Sequence, residues 1–201
     1  GAGDIFQANL TCRWRGAGPD DFDEITAYAA LRTGSPAPFG AYLHCPEADF
    51  SLLSASVERF LALSADGLVE TRPIKGTAPL GHDENEAARF ADALRRDVKE
   101  NAENLMITDL MRNDIGRVCD IGSVAVPQLC AVERFAHVHH LVSSVSGRLR
   151  AGLDAFDLLQ ATLPPGSVTG APKKRAMEII DRDETSARGA SCGHAFRGGP
   201  L

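Results

Sequence analysis

The sequence lacks the features that mark several functional classes. No run of like charges is long enough to form a charged tail, and acidic residues outnumber basic ones by 27 to 21, for a formal net charge of −6. Nucleic-acid-binding proteins usually carry a basic patch or stripe, so a nucleic-acid partner is not expected. No apolar stretch approaches the length of a membrane span, so a membrane partner is not expected either.

Cysteine is scarce and poorly spaced for a metal or disulfide site. The number of cysteines, five, is odd, and none of them forms a C-x-x-C pair. Disulfide frameworks use even numbers, and zinc sites use close pairs. Free thiols in a reducing cytosol are therefore expected, which predicts a cytoplasmic protein. The cysteines are Cys12, Cys45, Cys119, Cys130 and Cys192.

The composition that remains is typical of a globular domain. The chain has 201 residues, of which 44% are hydrophobic, enough for one large domain with a sizeable core. Strand-like segments come first, followed by two helices, more strands and further helices. This order lacks the strict β-α-β alternation of a parallel doubly wound sheet, so a mixed α+β layered domain is predicted.

Hydrophobic periodicity, caps and turn signals predict the individual elements. The predicted strands are 5–14, 39–44, 50–54, 59–63, 68–72, 123–126, 129–135 and 138–149. The predicted helices are 19–31, 83–96, 99–113, 154–163 and 171–181. Residues 73–81 contain two prolines and two glycines and are predicted to form a loop.

Two candidate catalytic residues stand next to predicted strands. Lys75 enters the 73–81 loop, where Gly76 would let the backbone approach a small ligand. A partly desolvated lysine there could act as a nucleophile. Glu58 begins the strand at 59–63 and could be a general acid in a partly buried site. For both residues the alternative is an ordinary surface position.

Two further segments carry groups suited to binding ions. Glu103 shares a helical stripe with Met106, Ile107 and Leu110. A carboxylate on a buried stripe needs a partner, such as Mg²⁺, and the alternative is a first-turn glutamate favoured by the helix dipole. The loop 165–173, PGSVTGAPK, opens onto a helix whose N–H groups could bind a carboxylate or phosphate. Its alternative is an ordinary helix cap, and Walker A spacing is absent.

Two adjacent histidines lie in the predicted strand 138–149. Neighbouring side chains on a strand point to opposite faces, so His139 and His140 cannot both bind one ion. One could line a site while the other is structural. The pair by itself does not predict a metal centre.

Taken in order, these segments resemble the chorismate-utilising enzymes, which include aminodeoxychorismate synthase and anthranilate synthase. Lys75 favours component I of aminodeoxychorismate synthase, because anthranilate synthases usually carry alanine there. The order Ser167-Val168-Thr169 also favours it, since anthranilate synthases tend to have T-x-S. The resembling segments are GDIFQANL at 3–10, PFGAYL at 38–43, SVERF at 56–60, PIKGT at 73–77, AENLMITDLMRNDIG at 102–116, HLVS at 140–143 and GSVTGAPKKRAM at 166–177.

The resemblance implies a sandwich of two antiparallel sheets with helices, and a reaction. Lys75 would attack chorismate at C2 while Glu58 protonates the departing 4-hydroxyl. Ammonia would then add at C4 and expel the lysine, giving 4-amino-4-deoxychorismate for 4-aminobenzoate and folate synthesis. A glutamine amidotransferase subunit would supply the ammonia.

The resemblance also implies a metal ion and a set of substrate contacts. Glu103 would be one ligand of an Mg²⁺ ion that binds chorismate's carboxylate. His140 would line the pocket, and the backbone around residues 169–171 would contact a substrate carboxylate. The full set of implied substrate-binding residues is Thr77, His140, Ser167, Thr169, Gly170 and Ala171.

The resemblance stops within a motif near Gly193. Residues 1–193 are therefore expected to be a partial catalytic domain that is incomplete at its C-terminus. Residues 194–201 are expected to be a divergent tail produced by a frameshift or an assembly error, and the start at Gly1 to be a cut through a larger protein. Two alternatives stay open: an anthranilate synthase component I, and a truncated fragment without activity.

Overall fold

The computed structural model describes residues 3–189, which divide into two compact units. The first unit holds residues 3–9 and 58–180, and the second holds residues 10–57 and 181–189. The predicted tail at 194–201 and Cys192 lie outside the described residues. Within residues 3–189, no helix is long and apolar enough to cross a membrane.

An antiparallel sheet of five strands forms the centre of the first unit. Its longest strand, β8, pairs with β5 over residues 145–148, with β6 over 138–142 and with β7 over 139–146. Partners along its length leave β8 buried at all but three residues. The strands are β4 (Arg59–Leu63), β5 (Leu68–Arg72), β6 (Ile74–Pro79), β7 (Ala125–Arg134) and β8 (Val138–Arg148).

The helices of the first unit begin at side-chain caps. Asp83, Asp97 and Asp154 each accept a backbone N–H from the first turn of the helix that follows, which satisfies a donor that the helix leaves unpaired. The helices are α2 (Glu84–Arg96), α3 (Val98–Gly116) and α4 (Ala155–Thr162), and α5 (Lys173–Asp183) continues into the second unit.

The core of the first unit lies between α3 and the sheet. Ile107 and Ile115 of α3 are fully buried and belong to one apolar cluster with Val69 of β5 and Val145 of β8. Burying each such side chain contributes about 1.5–3 kcal/mol relative to leaving it exposed. This packing fixes α3 against the strands that carry the candidate site.

Two predictions from the sequence are wrong in this unit. The predicted strand 5–14 is reduced to β1 (Gln7–Ala8), which pairs with the short β9 (Gly170–Ala171). The predicted loop 73–81 contains strand β6, whose prolines stand before its first residue and at its last. Glycine and proline content indicated a loop, but β8 offers β6 a partner that local sequence does not reveal.

The second unit contains α1 (Glu24–Gly34) and a hairpin of β2 (Phe39–Cys45) and β3 (Phe50–Ser56). No residue of these three elements is buried. The Glu24 carboxylate joins them by accepting hydrogen bonds from Tyr42 (2.9 Å) and Ser51 (2.5 Å). The unit is therefore held by polar contacts and partly exposed rings more than by a closed core.

The predicted α+β class, with helices on antiparallel sheets, is confirmed. The predicted strands 59–63 and 68–72 have the observed bounds, while 123–126 and 129–135 merge into the single strand β7, whose register shifts twice. The predicted helix 19–31 starts later, because Asp23 caps α1. The predicted helix 171–181 likewise begins at Lys173, so Pro172 precedes it.

Candidate active site

Glu58 is the buried acid of the site, and it stands directly before β4. Its carboxylate accepts hydrogen bonds from the Ser167 side chain and the Ile74 backbone, and it lies near the positive charge of Lys75. Burial raises the pKa of Glu58 above its ordinary value, and these three neighbours only partly oppose the rise. The raised pKa makes Glu58 a weaker acid than an ordinary glutamate and a candidate proton donor.

Strand β6 brings Lys75 to this carboxyl. The Pro73 carbonyl accepts the Ser143 N–H at 3.1 Å, which attaches the start of β6 to β8. Gly76 then has a φ of +90°, and a Cβ there would lie 3.1 Å from the Glu100 Cβ and 3.2 Å from the Leu141 Cβ. Glycine is needed at this position for both conformation and space.

A buried polar network under Lys75 was not predicted from the sequence. Asn104 of α3 is fully buried, and its amide nitrogen donates to the Leu141 carbonyl at 2.9 Å. Its side-chain oxygen accepts from Ser143, which in turn accepts the Cys130 N–H at 2.9 Å. Since Ser143 also holds Pro73, this network supports the strand that carries the lysine. Asn104 is part of the 102–116 motif, but its helical spacing alone suggests no role.

Thr77 and His140 meet across β6 and β8. The Thr77 hydroxyl lies 3.0 Å from Nδ1 of His140, whose ring packs edge-on against Phe135. Burial lowers the pKa of His140 below its ordinary value, which favours the neutral imidazole. His139 occupies the neighbouring strand position, and its buried Nε2 has no hydrogen-bond partner among residues 3–189. That His139 and His140 cannot both bind one ion stays a prediction.

The loop 163–172 carries the other predicted substrate contacts. Ser167 reaches Glu58 from a short 3₁₀ turn at Gly166–Val168. Thr169 uses both of its donors inside the loop, because its hydroxyl bonds to the Pro165 carbonyl (2.7 Å) and its N–H bonds to the Gly166 carbonyl (3.2 Å). The substrate contact predicted for Thr169 stays a prediction, and its hydroxyl and N–H already hold the shape of the loop.

Strand β1 holds the far end of the same loop. The Asn9 N–H donates to the Thr169 carbonyl at 2.8 Å, and the Phe6 N–H donates to the Ala171 carbonyl at 2.9 Å. Gly170 permits this close approach, because a Cβ there would lie 2.1 Å from the Gln7 carbonyl oxygen. Gly170 and Ala171 are thus buried beneath β1, and their predicted contact with substrate stays a prediction.

Glu103 lies beside the buried stripe of α3, not on it. The buried face runs through Asn104, Ile107 and Thr108, whereas the Glu103 side chain is 28% exposed and lies 3.3 Å from the Lys99 ammonium. The buried stripe predicted from the sequence begins at Glu103, one residue before the observed one at Asn104. Glu103 is one turn from Glu100, which contacts Gly76, so α3 brings it to the Lys75 end of β6.

Glu103 and Gln7 offer oxygen atoms of the kind that a hard cation takes. Glu103 and Gln7 line one surface cavity of about 700 Å³, and the buried Gln7 Oε1 has no hydrogen-bond partner among residues 3–189. Carboxylate and amide oxygens are ligands that Mg²⁺ accepts, usually with water or substrate oxygens completing the shell. Within the described residues, no group of three His, Cys, Asp or Glu side chains forms a complete metal cage.

The structure thus brings the predicted residues into three neighbouring groups. Glu58, Lys75 and Ser167 form one, and Thr77 with His140 forms the second. The third comprises residues 169–171 under β1. Glu103 lies on the adjoining helix, where its partner is Lys99. The geometry can supply a proton, a nucleophilic amine and an oxygen ligand within one unit.

Comparisons with known proteins find similar sequences in one enzyme family. Aminodeoxychorismate synthase component 1 of Salmonella typhimurium is 50% identical over 192 residues, which are 96% of this chain and 41% of that protein. Aminodeoxychorismate synthase of Streptomyces pristinaespiralis is 50% identical over 191 residues, which are 95% of this chain and 26% of that protein. The chain therefore spans well under half the length of these relatives.

A solved structure and a family description agree with these sequence matches. The crystal structure of anthranilate synthase component I from Streptococcus pneumoniae superposes with a TM-score of 0.71 at 39% identity, covering 81% of this chain and 35% of that one. The sequence description of the chorismate binding enzymes matches residues 1–197. The chain belongs to the chorismate binding enzyme family.

Proposed function

We propose that this domain aminates chorismate to 4-amino-4-deoxychorismate. The observation that carries the proposal is the buried Glu58 carboxyl, held by Ser167 beside the Lys75 ammonium. The 50% identity to proteins named aminodeoxychorismate synthase supports this product over others of the family. A protonated acid next to a potential amine nucleophile is the pair of groups that this substitution needs.

Lys75 and Glu58 have different roles in the proposed reaction. The Lys75 ammonium first loses a proton to solvent, and the amine attacks C2 of chorismate. Both ring double bonds shift, and the 4-hydroxyl leaves as water with the Glu58 proton. Ammonia then attacks C4, the double bonds shift back, and the Lys75 amine departs from C2. The new ammonium on C4 gives a proton to Glu58, which restores the acid. Chorismate and ammonia are consumed, and aminodeoxychorismate and water are released, so the enzyme returns to its starting state.

The surrounding residues would bind and orient the substrate. Glu103, with the Gln7 side-chain oxygen in the same cavity, would hold Mg²⁺, which when bound neutralises a substrate carboxylate. Because the Lys99 ammonium is 76% exposed, moving it away from Glu103 would cost little. Thr77 and the neutral His140 would line the pocket, with Ser167 and the backbone of residues 169–171 on its other side.

The proposal includes a separate source of ammonia. The Salmonella relative is named as component 1, which supports a partner subunit, and we propose a glutamine amidotransferase in that role. The domain alone is then expected to use ammonium salts but not glutamine. The four described cysteines are free thiols, and we propose the cytoplasm as the compartment.

The decisive experiment is product analysis by chromatography. The chain is incubated with chorismate, Mg²⁺ and ammonium, and matched reactions replace ammonium with glutamine or omit it. We expect aminodeoxychorismate with ammonium only. Folded protein that leaves chorismate unconsumed would overturn the proposal for this chain.

Anthranilate synthase activity is the second candidate, because the solved anthranilate synthase component I is 39% identical and superposes well. In that reaction ammonia would add at C2 instead of C4, with the 4-hydroxyl leaving as water, and this product would lose pyruvate to become 2-aminobenzoate, an aromatic amine. The same chromatogram separates the candidates, since anthranilate fluoresces and aminodeoxychorismate does not carry an aromatic ring. Anthranilate as the main product would move the assignment to this branch.

A further inference from the structure

One lysine ammonium joins the two ends of the loop that carries Ser167. Helix α4 ends at Thr162 and helix α5 begins at Lys173, so the loop 163–172 lies between them. The Lys173 ammonium donates to the Thr162 carbonyl at 3.0 Å and to the Asp114 carboxylate at 2.5 Å. The base of the loop is therefore closed and attached to α3 through a single side chain.

This ion pair is buried, so both of its charges lose their hydration, which costs free energy. The Lys173 and Asp114 side chains are 16% and 6% exposed. Burial raises the pKa of Asp114, and the adjacent Lys173 only partly opposes that rise. Apolar residues commonly replace a buried ion pair without loss of stability, so stability alone gives little reason for the pair. Its geometry points instead to the loop.

Two further contacts connect the loop to α3 and to Glu58. Gly166 packs against Leu110 of α3, since a Cβ there would lie 2.2 Å from the Leu110 Cδ2. The next residue, Ser167, donates its hydrogen bond to Glu58. A loop held at its base and against α3 has little freedom to withdraw that hydroxyl.

We propose that Lys173 is a positioning residue, whose contacts with Thr162 and Asp114 keep Ser167 hydrogen-bonded to Glu58. The consequence for catalysis rests on the proposed function, because it assumes that Glu58 is the acid. The claim that Lys173 holds Ser167 against Glu58 does not rest on it, and this claim can be tested on the folded chain without substrate.

The first test measures the Glu58 carboxyl directly. The pKa of Glu58 is followed by carbon NMR in the full chain with labelled glutamate, assigned with Glu58→Gln. The groups that face this carboxyl are Lys75, Ile74 and Ser167. In Lys173→Met we expect the pKa of Glu58 to rise, because the Ser167 hydrogen bond that lowers it is lost.

The matched control is Lys174→Met, in the same turn of α5 but exposed. It removes the same charge from the chain without touching the loop, so the Glu58 titration should match that of the unaltered protein. An equal shift in both variants would mean that net charge, not loop position, moves the pKa. That result would overturn the proposal.

A double variant separates positioning from folding. Lys173→Met alone leaves Asp114 buried and unpaired, which can unfold the chain. Lys173→Met with Asp114→Leu removes both charges and should recover the unfolding temperature, while the pKa of Glu58 stays raised. A folded double variant in which Glu58 titrates as in the unaltered protein would show that the contacts are merely structural.

Kinetics then tests the catalytic consequence. In the double variant we expect kcat for amination to fall by about 10-fold to 10²-fold, with KM changed less, because a displaced acid impairs the chemical step more than binding. An unchanged kcat despite a shifted Glu58 would refute the role in catalysis. Absence of activity in the unaltered chain would instead count against the proposed function, and the NMR result would still decide the positioning.

Discussion

Glu58 in the first unit and Glu24 in the second each accept a hydrogen bond from a serine, yet their pKa values shift in opposite directions. For Glu58, whose partner is Ser167, burial dominates and raises the pKa. For Glu24, the hydrogen bonds from Ser51 and Tyr42 dominate and lower the pKa, because its side chain is still 35% exposed. Both carboxyls have partners that lower the pKa, and desolvation makes the difference.

This comparison shows how one residue type acquires two uses. Glu24 keeps its charge and organises α1 and the β2–β3 hairpin by accepting hydrogen bonds. Glu58 is held where burial disfavours its charge, which raises its pKa and suits the proposed role of proton donor. A raised carboxyl pKa, as at Glu58, is the kind of shift associated with catalytic acids.

The largest expected effect comes from removing Lys75, the proposed nucleophile beside Glu58. In Lys75→Ala we expect the amination rate to fall by about 10⁴-fold or more, the order of loss found when a nucleophile is deleted. Mass spectrometry should also find no lysine adduct with substrate. Lys174→Ala, an exposed lysine elsewhere, should retain full activity. Undiminished amination in Lys75→Ala would refute the nucleophile assignment.

The next effect contrasts the two glutamates themselves. Glu58→Gln should lower kcat by about 10²-fold to 10⁴-fold, the usual contribution of a general acid. Glu24→Gln should change kcat by no more than about twofold, as for most surface substitutions. Steady-state kinetics on both variants measures the contrast. Equal losses would mean that Glu58 has no special role.

The stability difference between Glu58→Gln and the unaltered protein should depend on pH. The folded pKa of Glu58 is raised, so native protein binds this proton more tightly than unfolded chain, and stability falls as pH rises through the folded pKa. Glu58→Gln should therefore raise the thermal unfolding midpoint, relative to the unaltered protein, more at neutral pH than at acidic pH. A constant difference across pH would contradict the raised pKa.

A smaller effect should follow from loosening the loop that holds Ser167. Gly170→Ala places a Cβ against the Gln7 carbonyl and should destabilise the first unit by about 1–3 kcal/mol, as overpacking does. Displacing Ser167 would remove a hydrogen bond that lowers the pKa of Glu58, so this pKa should rise further above its ordinary value. The control Gly116→Ala, in open space within α3, should stabilise by up to about 1 kcal/mol. Chemical denaturation measures both.

The smallest expected effect concerns Glu24. Ser51→Ala removes the hydrogen bond that contributes most to its lowered pKa, so the pKa of Glu24 should rise toward the ordinary value. A lowered carboxyl pKa gives stability at pH values above the unfolded pKa, and this contribution is lost as pH falls through the folded pKa. The variant should therefore be slightly less stable near neutrality and unchanged in strong acid. An unchanged NMR titration of Glu24 would contradict the assignment.

Local signals predicted much of the fold. The predicted strands 59–63 and 68–72 match β4 and β5, and the predicted helix 83–96 matches α2 to within one residue. Predictions failed where a distant partner decided the outcome. Strand β6 has the composition of a loop and forms because β8 pairs with it, and the segment after Asn9 has the composition of a strand but is not assigned to one in the structure.

The sequence by itself determined the α+β class, the approximate bounds of α2, α3 and α4 and, through its ordered motifs, the chorismate binding enzyme family. Only the tertiary structure decided that Ser167, Ile74 and Lys75 surround Glu58, that Asn104 supports the lysine strand, and that Lys173 closes the loop. The physical reason is that motifs and caps act between near neighbours in the chain. Desolvation and buried hydrogen bonds depend instead on groups that folding brings from distant positions.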